Sequence, residues 1–195
     1  MMKNRLIVIT VLGIVFVSVA ISFFSLPRGA SKVLNQLGLE KTEIKEVVNI
    51  LDQRIDEPTN VGARITGDKL FLYDNEKEYS LDLPTDSFFV SIAPYINEVH
   101  PCTIHNLVSC RGEIFNQTMR IRIIDENNQI IIDEERTTQD NGFIGIWLPK
   151  GINATLNVEY DGLTVEYPIS TFSESDTCIT TPLKLRSEER RVGKE

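Results

Sequence analysis

Basic side chains are scarce in this sequence of 195 residues, which has 20 lysines and arginines against 28 aspartates and glutamates. The formal net charge is −8, and because both ends of the chain are basic, the part between them is more acidic still. A surface of this sign repels phosphate backbones, which argues against nucleic acid as a partner. With 42% hydrophobic and 25% charged residues, the composition also excludes collagen-like, low-complexity and largely disordered chains.

Cysteine is also rare, with three residues in the chain. A domain of about 155 residues buries roughly 68–70% of its unfolded surface and folds without disulfides, so the cysteines are free to serve chemistry. The chain has no C-x-x-C pair near a βαβ pattern, the signature expected of a thiol–disulfide exchange protein. It also lacks cysteines two to four residues apart, the usual spacing of structural zinc sites.

The N-terminal segment predicts export. Lys3 and Arg5 precede the run Leu6–Leu26, which contains neither charge nor proline and at about 1.5 Å per residue spans a hydrocarbon core of about 30 Å. No small-x-small cleavage site follows the run, and no cysteine stands there for lipid attachment. We expect a signal anchor over residues 6–26, within a segment 1–29, and a cleaved export signal is the alternative. Either way the basic flank stays in the cytoplasm and the rest is exported, to the periplasm or the outer face of the cell membrane.

After this segment the chain changes once, from helical to strand patterns. Between Ser31 and Ile55 apolar residues recur at helical spacing, and Gly38 separates two short helices. Strand patterns then take over: a hairpin, a buried apolar strand at 88–92 and, from residue 115 onward, strands at sandwich spacing separated by turn pairs. The predicted strands are 69–73 and 77–83, joined as a hairpin, then 88–92, 118–125, 129–136, 143–148, 154–160, 163–169 and 178–185.

The predicted fold class is α+β. A short N-terminal helical region covers residues 30–58, and a β-rich domain over residues 59–185 contains a small antiparallel β-sandwich with Trp147 in its core. The last ten residues, 186–195, replace the strand pattern with a charged run that resembles the in-frame translation of a sequencing adapter. We predict a non-native tail without function there, and the alternative is a solvated natural tail or a basic patch for acidic lipid.

Both histidines and two of the three cysteines lie within residues 100–113. Thiolates are soft ligands that suit Cu(I) and zinc, and imidazole suits copper and zinc. Cys102 and Cys110 would lie about 12 Å apart on a continuous helix, so this segment must fold back if the two are to share an ion or a disulfide. Cys178 can reach them only through the tertiary fold.

The residues alone leave the state of the cysteines open. Paired cysteines in an exported domain usually form a structural disulfide, and three cysteines allow three pairings, each of which leaves one thiol over. A disulfide-stapled β-sandwich module and a thiol–disulfide exchange protein are therefore alternatives to a metal-binding protein.

Four segments together resemble the CueP family of periplasmic copper-binding proteins: Phe89-Val-Ser-Ile-Ala-Pro-Tyr95, His100-Pro-Cys-Thr-Ile-His105, Cys110-Arg-Gly-Glu113 and Thr177-Cys-Ile-Thr180. The resemblance covers roughly residues 31–185 and is strongest at the three cysteines. It implies a helical N-terminal portion used in dimerisation and a β-rich portion that binds copper outside the cytoplasm, reduces Cu(II) to Cu(I) and serves copper homeostasis and resistance. The ligands it implies are Cys102, Cys110 and Cys178, with His100 and His105.

The chemistry of these residues agrees with that resemblance. Two thiols that close a disulfide release two electrons, enough to reduce two Cu(II) ions, and a third cysteine can hold Cu(I) or reopen the disulfide by exchange. We expect one soft metal site of Cys102, Cys110 and Cys178, with His105 as an auxiliary ligand or first Cu(II) contact. The partners expected are copper ion, a copper-acceptor protein, a second copy of the chain and the membrane. Whether the protein is an enzyme stays open, because the reduction is stoichiometric unless an external reductant restores the thiols.

Overall fold

The computed structural model describes residues 28–40, 42–56, 60–75 and 77–187. Two helices come first, α1 (Arg28–Gln36) and α2 (Ile44–Asp52). The strands that follow within the described residues are β1 (Val61–Ile65), β2 (Lys69–Asp74), β3 (Glu78–Asp82), β4 (Ser87–Ile92), β5 (His105–Asn106), β6 (Thr118–Asp125), β7 (Ile130–Thr137), β8 (Ile144–Pro149), β9 (Asn153–Tyr160), β10 (Leu163–Ser170) and β11 (Cys178–Ile179). The predicted α+β class, with helices first and a β-rich region after them, is confirmed.

Gly38 ends the first helix as the sequence predicts. Its φ of 74° lies in the left-handed region, which glycine adopts without steric cost. The N–H of Leu39 donates to the carbonyl of Leu34 at 2.8 Å, and the N–H of Gly38 donates to that of Asn35 at 3.0 Å. These two bonds form a Schellman cap, so the chain turns here and starts a second helix rather than extending the first.

The strands form three sheets that stack around two cores. The sheet order is β3-β2-β1-β5 in the first, β11-β4-β8 in the second and β10-β9-β6-β7 in the third. Every pairing between these strands is antiparallel except that of β11 with β4. The helices pack their apolar faces on the first sheet and form one core with it. The second and third sheets enclose the other core, which is the predicted sandwich.

Strand β4 lies between the two cores. All six of its residues are buried, and because side chains alternate across a strand, Phe89 enters the helix-side core while Phe88 and Val90 enter the sandwich core. A sequence buried on both faces reads as a continuous apolar run. This explains why the strand predicted at 88–92 lacks polar alternation.

Except for the last one, the sandwich strands follow their predicted bounds within one residue at each end. Met119 and Ile121 of β6 are buried, whereas Arg120 and Arg122 are exposed, as the alternation predicts. The prediction that Trp147 lies in the core of the sandwich is wrong. Its indole packs against the ring of Phe89 at 5.1 Å between centroids, in the helix-side core, because Trp147 alternates with neighbours on β8 that face the sandwich.

The predicted last strand is also shorter than expected. It pairs only at Cys178–Ile179, and a turn closed by the hydrogen bond from Leu183 N–H to the Thr180 carbonyl follows it at 2.9 Å. Pro182 stands inside this turn and has no N–H for a ladder. Beyond it, Tyr95 and Lys184 form a single parallel bridge.

Both predicted terminal segments fall mainly outside the described residues. The structure describes neither the anchor expected over residues 6–26 nor residues 188–195 of the expected tail. Among the residues that are described, no helix has the length and apolar character needed to cross a bilayer. The backbone of Arg186 pairs with that of Thr164, at 2.9 and 3.1 Å, so strand pairing extends one residue past the predicted boundary at 185.

Candidate metal centre

Four of the five predicted ligands meet at one place, between the helix-side core and the sandwich. One donor atom from each of Cys102, His105, Cys110 and Cys178 lies within 4.8 Å of all the others. His100 is not part of this group. It is exposed, and its carbonyl accepts a hydrogen bond from Thr180 Oγ1 at 2.8 Å.

The segment that carries the first two cysteines folds back as its spacing requires. His105 pairs with Ile65 of β1, and a tight turn follows, in which Cys110 N–H donates to the Asn106 carbonyl at 3.2 Å. The side-chain oxygen of Asn106 accepts the N–H of Val108 at 3.1 Å, an Asx turn typical of asparagine. The turn returns Cys110 to Cys102, and their sulfur atoms lie 3.7 Å apart.

Cys178 reaches the cluster because β11 lies beside β4. The N–H groups of Thr177 and Cys178 donate to the carbonyl of Thr103, at 3.0 and 3.1 Å, and Thr177 Oγ1 accepts the N–H of His105 at 3.1 Å. Cys178 forms a disulfide with Cys102, with a Cα–Cα distance of 5.5 Å. Of the three pairings that the sequence left open, the structure therefore adopts Cys102–Cys178, and Cys110 is the free thiol.

His105 is fully buried and fixed at both ring nitrogens. Its Nε2 lies 2.6 Å from Oδ1 of Asp52, and its Nδ1 lies 3.4 Å from the sulfur of Cys178. The ring packs against Phe143 at 4.8 Å between centroids. The imidazole thus joins a buried carboxylate to the sulfur cluster.

Asp52 is the residue that sequence reasoning missed. It is the last residue of α2 and is only 2% exposed, and its Oδ1 also accepts the hydroxyl of Ser91 at 2.9 Å. One signal was available, since Asp52 falls four residues after Val48, on the apolar face of the helix. A carboxylate on a buried face requires a partner, but the sequence does not say which.

The electrostatics of the site couple His105 to Cys110. Burial by itself lowers the pKa of His105, but hydrogen bonds to Asp52 and Cys110, together with their charges, raise it to about 9. Burial raises the pKa of the Cys110 thiol, whereas hydrogen bonds from His105 and His100 and the charge of His105 lower it to about 7. Cys110 therefore has substantial thiolate character near neutral pH, and the thiolate is the form that binds metals and attacks disulfides.

A tightly packed shell surrounds the sulfur atoms. Ala93 and Phe143 are fully buried against the cysteines, and Gly112 N–H donates to the Asn141 carbonyl at 2.7 Å. A Cβ on Gly112 would lie 2.5 Å from the carbonyl oxygen of Gly142, so only glycine permits this approach of the two loops. Within this shell Cys178 and Cys110 are buried and Cys102 is half-buried.

Comparison with known proteins places the chain in a family. The family model described as "Periplasmic copper-binding protein CueP" matches residues 46–184, a range that includes every residue of the cluster and Asp52. The chain belongs to the CueP family. The resemblance seen in the sequence is therefore confirmed.

A solved CueP-family structure has the same fold. The chain titled "Crystal Structure of S.CueP" is 37% identical, with a TM-score of 0.77, and the match covers 83% of this chain and 100% of that chain. No curated protein sequence matches the chain at a significant level.

Proposed function

We propose that this CueP-family protein binds copper as Cu(I) through the thiolates of Cys102, Cys110 and Cys178, with His105 as an auxiliary ligand. The observation that carries the proposal is the convergence of these four donors within 4.8 Å. The membership of the chain in a family of periplasmic copper-binding proteins supports the choice of metal. Soft thiolates with one imidazole form a donor set that suits Cu(I).

The sulfur spacing supports trigonal coordination. With a metal–thiolate distance of about 2.3 Å, as zinc sites show, three sulfurs around one ion lie about 4 Å apart. Cys102 and Cys110 are already 3.7 Å apart. Cys178 needs its disulfide with Cys102 to be reduced before both sulfurs can bind, because a metal ligand must be a thiolate.

The disulfide supports the reduction of Cu(II) as a second part of the function. Two thiolates, Cys102 and Cys178, give up one electron each and form the S–S bond, and two Cu(II) ions take these electrons and become Cu(I). The protons of the thiols leave to solvent. Cys110 stays reduced and, with His105 in the same cluster, offers a thiolate and an imidazole to hold one Cu(I) product.

Export and the copper partners belong to the same proposal. We place the domain outside the cytoplasm because the family is described as periplasmic. The anchor over residues 6–26, the domain division at 30–58 and 59–185, a copper-acceptor protein and self-association through the helices stay predictions. Most apolar residues of α1 and α2 are buried within this chain, and Ile44 and Ile50 are partly buried, so a dimer would mainly use a different face of these helices.

One observation favours a second candidate, thiol–disulfide exchange without metal. The free thiol of Cys110 lies 3.7 Å from a sulfur of the disulfide, and its thiolate character makes it a nucleophile. In that case the oxidised protein would transfer its disulfide to a dithiol peptide in the absence of copper.

The test is a competition for Cu(I) under anaerobic conditions. Fully reduced protein is titrated against a Cu(I) chelator of known affinity, as wild type, as Cys178→Ser and as Ser109→Ala, an exposed neighbour of Cys110 that serves as control. We expect one Cu(I) per wild-type and control chain and a loss of affinity of at least about 10-fold in Cys178→Ser. Failure of the wild type to compete would remove the metal site and leave the exchange function.

The reductase part is tested separately. Reduced protein is mixed with Cu(II) and a Cu(I)-specific dye, and free thiols are counted before and after. We expect two Cu(I) for each disulfide formed, and no reduction by Cys102→Ser through this route. Colour without disulfide formation would contradict the electron balance.

A further inference from the structure

We propose that Asp52 is a positioning residue for copper binding: it fixes the ring of His105 so that Nδ1 faces the sulfur cluster. This inference rests on the proposed copper site. It extends that site beyond the cysteines and histidines of the loop to a carboxylate delivered by the helical region, 53 positions away in the sequence.

The geometry assigns the two ring nitrogens different roles. Nε2 lies 2.6 Å from Oδ1 of Asp52, and a carboxylate in this position can only accept, so Nε2 carries the proton. A histidine binds a metal as the neutral ring, so the proton that Nδ1 holds in the imidazolium form leaves when the metal binds. In that neutral ring the other nitrogen is the acceptor. That nitrogen, Nδ1, lies 3.4 Å from the sulfur of Cys178, where a metal held by the thiolates would lie. Ligating histidines commonly have such a carboxylate on the second nitrogen, which sets the tautomer and raises ligand basicity.

The surroundings of Asp52 hold its carboxylate in this one orientation. The side chains of His105 and Asp52 are only 1% and 3% exposed, so the carboxylate cannot turn to water. The hydroxyl of Ser91 donates to the same Oδ1 at 2.9 Å. A Cβ at position 145 would lie 2.3 Å from Oδ2, so Gly145 provides the space that the second oxygen occupies.

The backbone of Asp52 is fixed as well. The side-chain amide of Asn141 donates to the Asp52 carbonyl, and the same side chain accepts the N–H of Phe143 at 2.9 Å. Phe143 in turn packs on the ring of His105. The end of α2 and both partners of the Asp52–His105 bond are thus held by one connected set of contacts.

A purely structural role is the competing explanation, in which Asp52 only ties the end of α2 to β4 through Ser91. The two roles differ in what they predict for copper. Ser91→Ala removes the structural bond but leaves the ring of His105 oriented. Asp52→Asn keeps the shape and also permits the amide to donate to Nε2, which would place the proton on Nδ1, facing the sulfurs.

The first experiment measures Cu(I) affinity by chelator competition in wild type, Asp52→Asn and Ser91→Ala. We expect Asp52→Asn to bind about 10- to 100-fold more weakly, with Ser91→Ala within a factor of two or so of the wild type. In a His105→Gln background Asp52→Asn should cause no further loss. An Asp52→Asn protein that binds Cu(I) like the wild type, or an equal loss in the His105→Gln background, would overturn the inference.

The second experiment needs no variant and so does not depend on Asp52→Asn folding. Cu(I) is diamagnetic, and the imidazole ¹⁵N signals of the loaded wild-type protein report which nitrogen is protonated. We expect the proton on Nε2 and a metal-shifted Nδ1, whereas a proton on Nδ1 would refute the assignment. If the wild type binds no Cu(I), the proposed function fails. The imidazole ¹⁵N spectrum of the metal-free reduced protein in alkaline solution, where the ring is neutral, then still shows whether Nε2 or Nδ1 carries the proton.

Discussion

Reduction of the Cys102–Cys178 disulfide should destabilise the fold by an amount that its position predicts. The bond joins residues 76 positions apart, and the chain-entropy relation for a loop of this length gives about 4.5 kcal/mol of stabilisation at 25 °C. With a urea m-value of about 2 kcal/mol/M, the unfolding midpoint should fall by about 2 M when the bond is reduced. Cu(I) should reverse part of this loss, because a ligand at 100 times its dissociation constant stabilises by about 2.7 kcal/mol.

The assay is urea unfolding of oxidised, reduced and Cu(I)-loaded reduced protein. Cys178→Ser, which cannot form the bond, should show no difference between oxidising and reducing conditions, and Cys110→Ser, which keeps it, should show the full difference. Equal midpoints for oxidised and reduced wild type would refute the pairing. A difference that survives in Cys178→Ser but disappears in Cys110→Ser would indicate that Cys102 pairs with Cys110 instead.

Three further substitutions, in the shell of the site and at the neighbouring Glu113, are tested by urea unfolding. Gly142→Ala should destabilise the fold by clearly more than Gly151→Ala. Both glycines have a φ of 81°, so the backbone cost of about 1 kcal/mol is the same for both and cancels in the comparison. Only a Cβ at position 142 meets other atoms, at 2.8 Å from the backbone of Gly112. Phe143→Ala should cost about 3–5 kcal/mol because its side chain is fully buried. Glu113→Gln should destabilise at pH 7 and lose this effect in acid. Burial raises the pKa of Glu113, but the hydrogen bonds that its carboxylate accepts from the N–H groups of residues 96 and 97 lower this pKa below 4.5. The contribution of Glu113 to the free energy of unfolding is therefore full above pH 4.5 and is lost as the pH falls through the lowered pKa.

Each of these has a result that would contradict it. Equal costs for the two glycine substitutions would mean that the loops at 112 and 142 do not approach closely. A loss below about 1 kcal/mol for Phe143→Ala would be inconsistent with a packed shell. A difference between wild type and Glu113→Gln that grows as the pH falls would reverse the sign of the linkage.

The elements that the sequence predicts well are those with a local signal. The two helices are separated at Gly38, where a left-handed residue ends the first one. The strand at 118–125 matches its predicted bounds. The sequence predicts the last strand too long because apolar residues continue after Ile179, whereas pairing stops where the turn around Pro182 begins.

The candidate donors were also visible in the sequence, but their arrangement was not. The concentration of His100, Cys102, His105 and Cys110 in one segment pointed to chemistry there. Asp52 stayed unrecognised because it lies on a helix 53 positions before His105, and no local pattern relates the two.

The amino-acid sequence by itself determined the periodicities, the turns and the set of soft donors, because each depends on residues within a few positions of one another. Only the tertiary structure decided which cysteine pairs with which, that Trp147 faces the helices, and that a carboxylate supports the histidine. The physical reason is that β11 must cross to lie parallel to β4, and α2 must end above the same strand, before Cys178 and Asp52 come within bonding distance of His105. Such contacts depend on how whole layers pack, which no short stretch of sequence encodes.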